Sequence, residues 1–211
     1  MIEKYKELKS KLSDKVTGEI DELGFYSIED ICKITNPKTI LEIGFNRGNS
    51  ALMWLLSSNA KLTSMDLRKR ETVNESINVL EKHFPERFEY VEKDGYTELH
   101  LTNEWINKFD LIFIDTWHQP LGYEIDTLTA KYLGCKYIAY DDYTTHKNSY
   151  YIRNYISNDS DLKEIKKYNT NQGLIQVVND KSNDQVILNN IKNKVKNNMN
   201  IFNELKKHFN K

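Results

Sequence analysis

"LEIGFNRGNS", residues 41–50, runs an apolar segment into a turn with two glycines and then into residues that open a helix. Gly44 and Gly48 let the backbone approach a ligand with no Cβ in the way. A helix starting near Asn49 and Ser50 turns its free N–H groups and positive dipole end toward the same point. A dinucleotide fingerprint needs Gly-x-Gly-x-x-Gly, whereas this turn is Gly-x-x-x-Gly with Asn46 where the second glycine belongs. Asn tolerates positive φ better than most residues, so the turn can still form. Glu42, just ahead of Gly44, would repel a pyrophosphate and suits a ligand carrying an ammonium group. These residues fit a nucleoside bearing a cationic amino acid better than they fit NAD.

Outward from this turn the pattern alternates. "TILEIG" (39–44), "KLTSMD" (61–66), "RFEYVEKD" (87–94), "FDLIFID" (109–115) and "KYIAYD" (136–141) read as strands. Between them, 49–58, 71–84, 96–106 and 122–134 read as helices, the last closing on Gly134. Five strands alternating with helices predict a parallel sheet covered on both faces. A helical stretch near 147–157 follows, and "LKEIKKYNTNQGLIQVVND" (162–180) then reads as two strands joined by the turn "NTNQG". The expected fold is a Rossmann-like, doubly wound α/β domain. Its seven-stranded sheet has five parallel strands plus a C-terminal antiparallel hairpin at one edge. Residues 1–35 form an extra N-terminal helical segment, with Tyr5, Leu8, Leu12 and Val16 in helical register. Residues 36–180 form the main domain, and 181–211 a C-terminal helix. The apolar stripe of that helix (Ile187, Ile191, Val195, Phe202, Leu205, Phe209) packs on the domain or on a second copy, which makes a homodimer reasonable.

The chain of 211 residues has a net charge of −1, an apolar fraction of 39% and a charged fraction of 29%. No global field draws it to nucleic acid or an anionic membrane; the Lys-rich tail after Lys192 alone favours nucleic acid. No apolar run approaches the about 20 residues that span a bilayer, and the charged N-terminus lacks a signal-peptide core. Cys32 and Cys135 read as two reduced thiols of a cytoplasmic protein.

A second feature lies beyond the fourth and fifth strands. "IDTWHQP" (114–120) carries Asp115 and His118, and "YIAYDDYTTH" (137–146) ends its strand on Asp141 and Asp142. In this fold these strands are neighbours about 4.8 Å apart, so the acids converge on one mouth. Three clustered carboxylates cannot all stay ionised without a compensating cation. Mg²⁺ binds such sets through carboxylates and keeps other positions for water and substrate oxygens. In an alternative reading Asp142 caps the following helix and Asp141 alone binds metal. His146 is a second candidate base or ligand in an irregular loop, and Tyr123 and Asp126 fall on one helical turn beyond His118.

"LEIGFNRGNS" resembles motif I of the class I S-adenosylmethionine-dependent methyltransferases, and the order of elements over 36–180 resembles their fold. The resemblance implies a cofactor set of Glu42, Gly44, Asn46, Gly48, Ser50, Asp66, Asp94, Gly95 and Asp115. Asp66 stands where that family holds the ribose hydroxyls, and Asp94 and Gly95 where it contacts adenine. The carboxylate layout is similar to that of metal-dependent O-methyltransferases of the catechol and caffeoyl-CoA type. This implies Mg²⁺ held by Asp115, Asp141 and Asp142, and places His118 where those enzymes carry a lysine base. The segment from Asp115 to Asp142 resembles methyltransferase family 24 and the macrolide-sugar O-methyltransferases still more. The expected activity is transfer of a methyl group to a hydroxyl of a small molecule, sugar- or polyol-like, with His118 as base. Two alternatives stand beside it: a metal-independent methyltransferase, and an S-adenosylmethionine-binding module without turnover.

Overall fold

The computed structural model describes residues 1–12, 22–67, 71–144 and 147–209. The strands are β1 (Thr39–Ile43), β2 (Lys61–Asp66), β3 (Phe88–Glu92), β4 (Leu111–Ile114), β5 (Tyr137–Tyr140), β6 (Leu162–Lys167) and β7 (Gly173–Val177). They form a seven-stranded sheet in the order β3-β2-β1-β4-β5-β7-β6. β1 to β5 pair in parallel, and β7 lies antiparallel between β5 and β6. The doubly wound fold and its terminal hairpin are as the alternation predicts. β1 and β4 are wholly apolar and buried apart from Glu42 and the first residue of β1, as befits strands covered on both faces.

The helices are α1 (Ile2–Lys9) and α2 (Glu22–Thr35) before β1, α3 (Asn49–Ser57), α4 (Glu71–His83), α5 (Pro120–Leu133) and α6 (Ser149–Asn158) between strands, and α7 (Gln185–Asn197) and α8 (Met199–Phe209) after β7. One apolar layer joins α1, α2, α3 and α4 to one face of the sheet around Trp54, Phe25 and Phe113. The other joins α5, α6, α7 and α8 to the opposite face around Ile112, Tyr132 and Ile191.

Two expectations are corrected. The helix expected over 96–106 is a pair of 3₁₀ turns, Leu99–Leu101 and Asn103–Trp105. Side chains there compete for the backbone: Asp94 Oδ1 accepts from the Tyr96 and Thr97 N–H, and Thr102 Oγ1 donates to the Glu98 carbonyl. The single C-terminal helix is two helices broken at Asn198, whose Nδ2 donates back to the Lys194 carbonyl at 2.8 Å. Its apolar stripe packs on the domain, Ile187, Ile191, Val195 and Phe202 being buried. At the N-terminus α1 and α2 are described separately, and Val16 lies outside the described residues. Among the described residues no helix is long and apolar enough to cross a membrane.

Candidate active site

At the carboxyl end of β1 the turn closes as its glycines require. Gly44 has φ +102°, Asn46 +48° and Gly48 +78°. A Cβ on Gly44 would lie 1.8 Å from the Asp115 carbonyl oxygen. The turn is therefore pressed against the start of the loop after β4, so Asp115 borders both halves of the mouth. Gly48 caps α3, and Ser50 lies buried in its first turn. From the N-terminal segment, the Tyr5 hydroxyl donates to Asn49 Oδ1 at 2.8 Å and ties α1 to this helix end.

Glu42 is completely buried beneath the turn. Ser50 Oγ donates to one of its oxygens at 2.6 Å and Ser64 Oγ to the other at 2.5 Å. Burial drives its carboxyl up to about 8, against these two hydrogen bonds. Each oxygen thus has a hydroxyl partner within the fold, which fixes the carboxyl beneath the turn. Because the folded value lies above the ordinary one, Glu42 contributes stability at acid pH that is lost as pH rises toward about 8. Glu42→Gln should remove that decline: urea unfolding from pH 5 to 9 should show wild-type stability falling relative to the variant. Parallel curves would mean that Glu42 is ionised.

Asp66, at the end of β2, accepts from the Phe45 and Asn46 N–H groups at 3.1 and 2.9 Å and from the Leu67 N–H at 2.7 Å. Its carboxylate braces the glycine turn. Asp94 accepts from the Thr97 hydroxyl and the Tyr96 N–H, and its Oδ2 pairs with Lys206 Nζ of α8 at 2.7 Å. The loop it opens crosses the ends of β2 and β1. Gly95 there lies over Ile43 and Met65, and the Tyr96 hydroxyl donates to Thr116 Oγ1 and accepts from the Trp117 N–H, both at 3.0 Å. Thr116 Oγ1 in turn donates to the fully buried Asp126 at 2.5 Å. Asp126 thus supports the loop from beneath.

On the other side, Asp115 and Asp141 follow the paired ends of β4 and β5, the Asp141 N–H donating to the Ile114 carbonyl at 3.0 Å. Between the acids stands His118. Its Nδ1 lies 2.9 Å from Asp142 Oδ2 and its Nε2 3.4 Å from Asp115 Oδ1, while its ring stacks on Tyr123 at 5.9 Å. Burial pulls its pKa down, but the two carboxylates outweigh this and raise it to about 10. Asp141 is pushed up by burial and by Asp115 and Asp142, with Gln172 and His118 acting against the rise. The His118 ring thus stands between two of the carboxylates that crowd this mouth.

Two residues of this wall were not singled out from the sequence. Asn171 donates to Asp142, and Gln172 Nε2 donates to Asp141 Oδ1 at 2.6 Å. Gln172 is buried, and its amide oxygen has no hydrogen-bond partner among the described residues. Both belong to the turn between β6 and β7. Asn148 is a third, donating to the His118 carbonyl at 2.7 Å. The structure does not show Asp142 capping α6, which Asn148 precedes. His146 lies outside the described residues.

The donor chemistry fits Mg²⁺: hard carboxylate oxygens on adjacent strand ends, with a buried amide oxygen beside Asp141 that has no partner among the described residues. As the side chains stand, however, no group of three or more His, Cys, Asp or Glu among the described residues is placed to hold a metal ion. The imidazole fills the space between Asp115 and Asp142.

A family model described as O-methyltransferase matches residues 4–127. Among solved structures, the chain is similar to the S-adenosylhomocysteine-bound methyltransferase PaMTH1 of Podospora anserina, with 18% identity, a TM-score of 0.61 and coverage of 83% of this chain and 86% of that one. It is also similar to the O-methyltransferase of Bacillus cereus in complex with S-adenosylhomocysteine, with 16% identity, TM-score 0.62 and coverage of 84% and 90%. A third is TomG of Streptomyces achromogenes, involved in tomaymycin synthesis and bound to S-adenosylmethionine, with 16% identity, TM-score 0.60 and coverage of 84% and 89%. At such identities these likenesses speak for the fold. No curated protein sequence matches the chain.

Proposed function

The chain belongs to the O-methyltransferase family and is an S-adenosylmethionine-dependent methyltransferase, and from that premise we propose that it methylates a hydroxyl of a small sugar- or polyol-like acceptor with the help of Mg²⁺. The observation that carries this reading is the contact of Gly44 with the Asp115 carbonyl, which sets the cofactor turn edge to edge with the His118 cluster. The histidine at 118, where catechol-type enzymes carry a lysine, is what points toward a sugar or polyol.

Each group then has a task. The glycine turn and the free N–H groups of α3 receive the amino-acid end of the cofactor. Glu42 and Ser50 hold that turn from beneath, Asp66 faces the ribose, and Asp94 and Gly95 border the adenine. His118 accepts the acceptor's hydroxyl proton, Asp115 and Asp142 keep its ring aimed, and the oxygen attacks the sulfonium methyl carbon as S-adenosylhomocysteine leaves. Asp115, Asp141 and Asp142 would hold Mg²⁺, which supplies positive charge that lowers the hydroxyl pKa. Residues 36–180 carry this chemistry, with 1–35 and 181–211 as added helices. The two free, buried thiols and the net charge of −1 suit a cytoplasmic enzyme of small metabolites rather than of nucleic acid.

A metal-independent reading is favoured by one observation: the His118 ring already stands between Asp115 and Asp142. Calorimetry separates the two. S-adenosylhomocysteine should bind wild type, and Mg²⁺ should then bind the saturated protein but not Asp141→Asn/Asp142→Asn. Nucleoside binding with no Mg²⁺ binding to wild type selects the metal-independent mechanism. Tight cofactor binding with no transfer to any acceptor would leave a binding module.

A further inference from the structure

The turn between β6 and β7 lies beyond residues 4–127, the part of the chain that matches the family, yet it holds both acids that follow β5. Gln172 Nε2 donates to Asp141 Oδ1 at 2.6 Å, and Asn171 Nδ2 donates to Asp142 Oδ1. The other oxygen of Asp142, Oδ2, is the one that meets His118 Nδ1, at 2.9 Å. Each acid therefore has its Oδ1 on an amide of this turn, and its Oδ2 is the oxygen left for the site.

The turn is itself braced. Asn171 Oδ1 accepts from the Thr144 N–H and from the Thr144 hydroxyl, each at 3.1 Å, and the Asn171 carbonyl accepts from the Tyr143 N–H at 2.7 Å. From α2, Asp30 Oδ2 accepts from the Tyr168 hydroxyl at 2.6 Å, and the Ser27 hydroxyl bonds that of Thr170. Asp142 and Asn171 both hold left-handed backbone, at φ +52° and +82°, which non-glycine residues keep only where their surroundings impose it. Gln172 is 1% exposed, and among the described residues its side chain makes one hydrogen bond, the one to Asp141.

We infer that Gln172 and Asn171 are positioning residues that restrict Asp141 and Asp142 to one metal-facing oxygen each, and so set a preference for Mg²⁺ over Ca²⁺. The inference rests on the proposed Mg²⁺ site. Both donors are neutral amides, so they fix the direction of the carboxylates without cancelling the negative charge that draws a cation. Mg²⁺ demands a compact octahedral shell, keeps several waters and is content with single carboxylate oxygens, whereas Ca²⁺ takes a larger shell and accepts both oxygens of one carboxylate. A carboxylate whose Oδ1 is bound to an amide can chelate through both oxygens only by turning away from that amide.

The test is calorimetric titration of Mg²⁺ and of Ca²⁺ into the full chain saturated with S-adenosylhomocysteine. Wild type should bind Mg²⁺ the more tightly. Gln172→Met keeps the length of the side chain and removes the donor. It should weaken Mg²⁺ binding roughly tenfold or more, the usual effect of losing a partner that orients a metal ligand, and leave Ca²⁺ binding unchanged or tighter. Asn171→Gly, in which glycine keeps the left-handed φ, should narrow the ratio of the two affinities in the same direction; it decides the matter if Gln172→Met fails to fold. If the folded variants keep the wild-type ratio, the inference is overturned. Equal weakening of both cations, the result expected of a turn that merely supports the fold, overturns it too, as does a wild type that prefers Ca²⁺. Wild type binding S-adenosylhomocysteine but neither cation would instead defeat the metal site itself, a result read before any variant is made, and the inference would fall with it.

Discussion

Gly44→Ala should abolish measurable S-adenosylhomocysteine binding, a loss of at least about a hundredfold. Two independent obstacles meet at this residue. Its φ of +102° is one that side-chain-bearing residues rarely adopt, and the added methyl would lie 1.8 Å from the Asp115 carbonyl oxygen. Strained φ alone costs about 1–3 kcal/mol, but the overlap is with backbone and cannot be relieved by a rotamer change. Either the turn or the loop bearing Asp115 must move, and both border the cofactor. Gly48→Ala is the control. Its φ of +78° is also left-handed, but the added Cβ would meet side chains rather than backbone, Phe45 Cζ at 2.7 Å and Leu80 Cδ1 at 3.2 Å. That variant should lose affinity by a far smaller factor. Circular dichroism and calorimetry on both proteins check the order. If Gly44→Ala folds and binds within twofold of wild type, the turn is not the cofactor cradle.

Why these glycines were legible in advance, and other parts were not, follows from where the information sits. The Gly-x-x-x-Gly turn, with Asn46 at positive φ, is a local solution written in contiguous residues, and so are the β-prone runs that end on Asp66, Asp115 and Asp141. The wall formed by Asn171 and Gln172 is not local. It becomes visible only once β7 is known to pair with β5, because the register Tyr140↔Gly173 then sets Gln172 beside Asp141 and Asn171 beside Asp142. Read along the chain, "NTNQG" is merely a hairpin turn. Lys206 is hidden in the same way, being one lysine among many on a helix whose partner loop lies far away in sequence. The 3₁₀ turns after Asp94 were misread because an apolar repeat signals a helix, whereas Asp94 and Thr102 offer the backbone competing partners. The depth of Glu42 was equally unreadable: the pleat turns it inward, where Ser50 and Ser64 donate to it.

His118→Asn should lower kcat by about 10²- to 10⁴-fold, the usual worth of a positioned base, with S-adenosylhomocysteine affinity unchanged, since the ring lies on the acceptor side of Asp115. The pH dependence makes the assignment sharper. With its pKa raised to about 10 between Asp115 and Asp142, His118 is an imidazolium at neutral pH and is not yet a base. At pH 7 only roughly a thousandth of it would be deprotonated. In EDTA the rate should therefore climb with pH toward about 10 on a panel of hydroxylated acceptors. Added Mg²⁺ should move the rise to lower pH, because a second cation among the same carboxylates removes the reason for the proton to stay. The stability consequence needs no acceptor. A histidine whose folded value is raised contributes stability that is fully present below its unfolded value near 6.5 and is lost as pH rises through about 10. The stability gap between wild type and His118→Asn should accordingly be widest below about pH 6.5 and shrink as pH rises toward about 10, measured by urea unfolding without metal. A gap that stays constant across that range would mean the ring is neutral between its two acids, and the charge balance proposed for the mouth would have to be supplied by some other group.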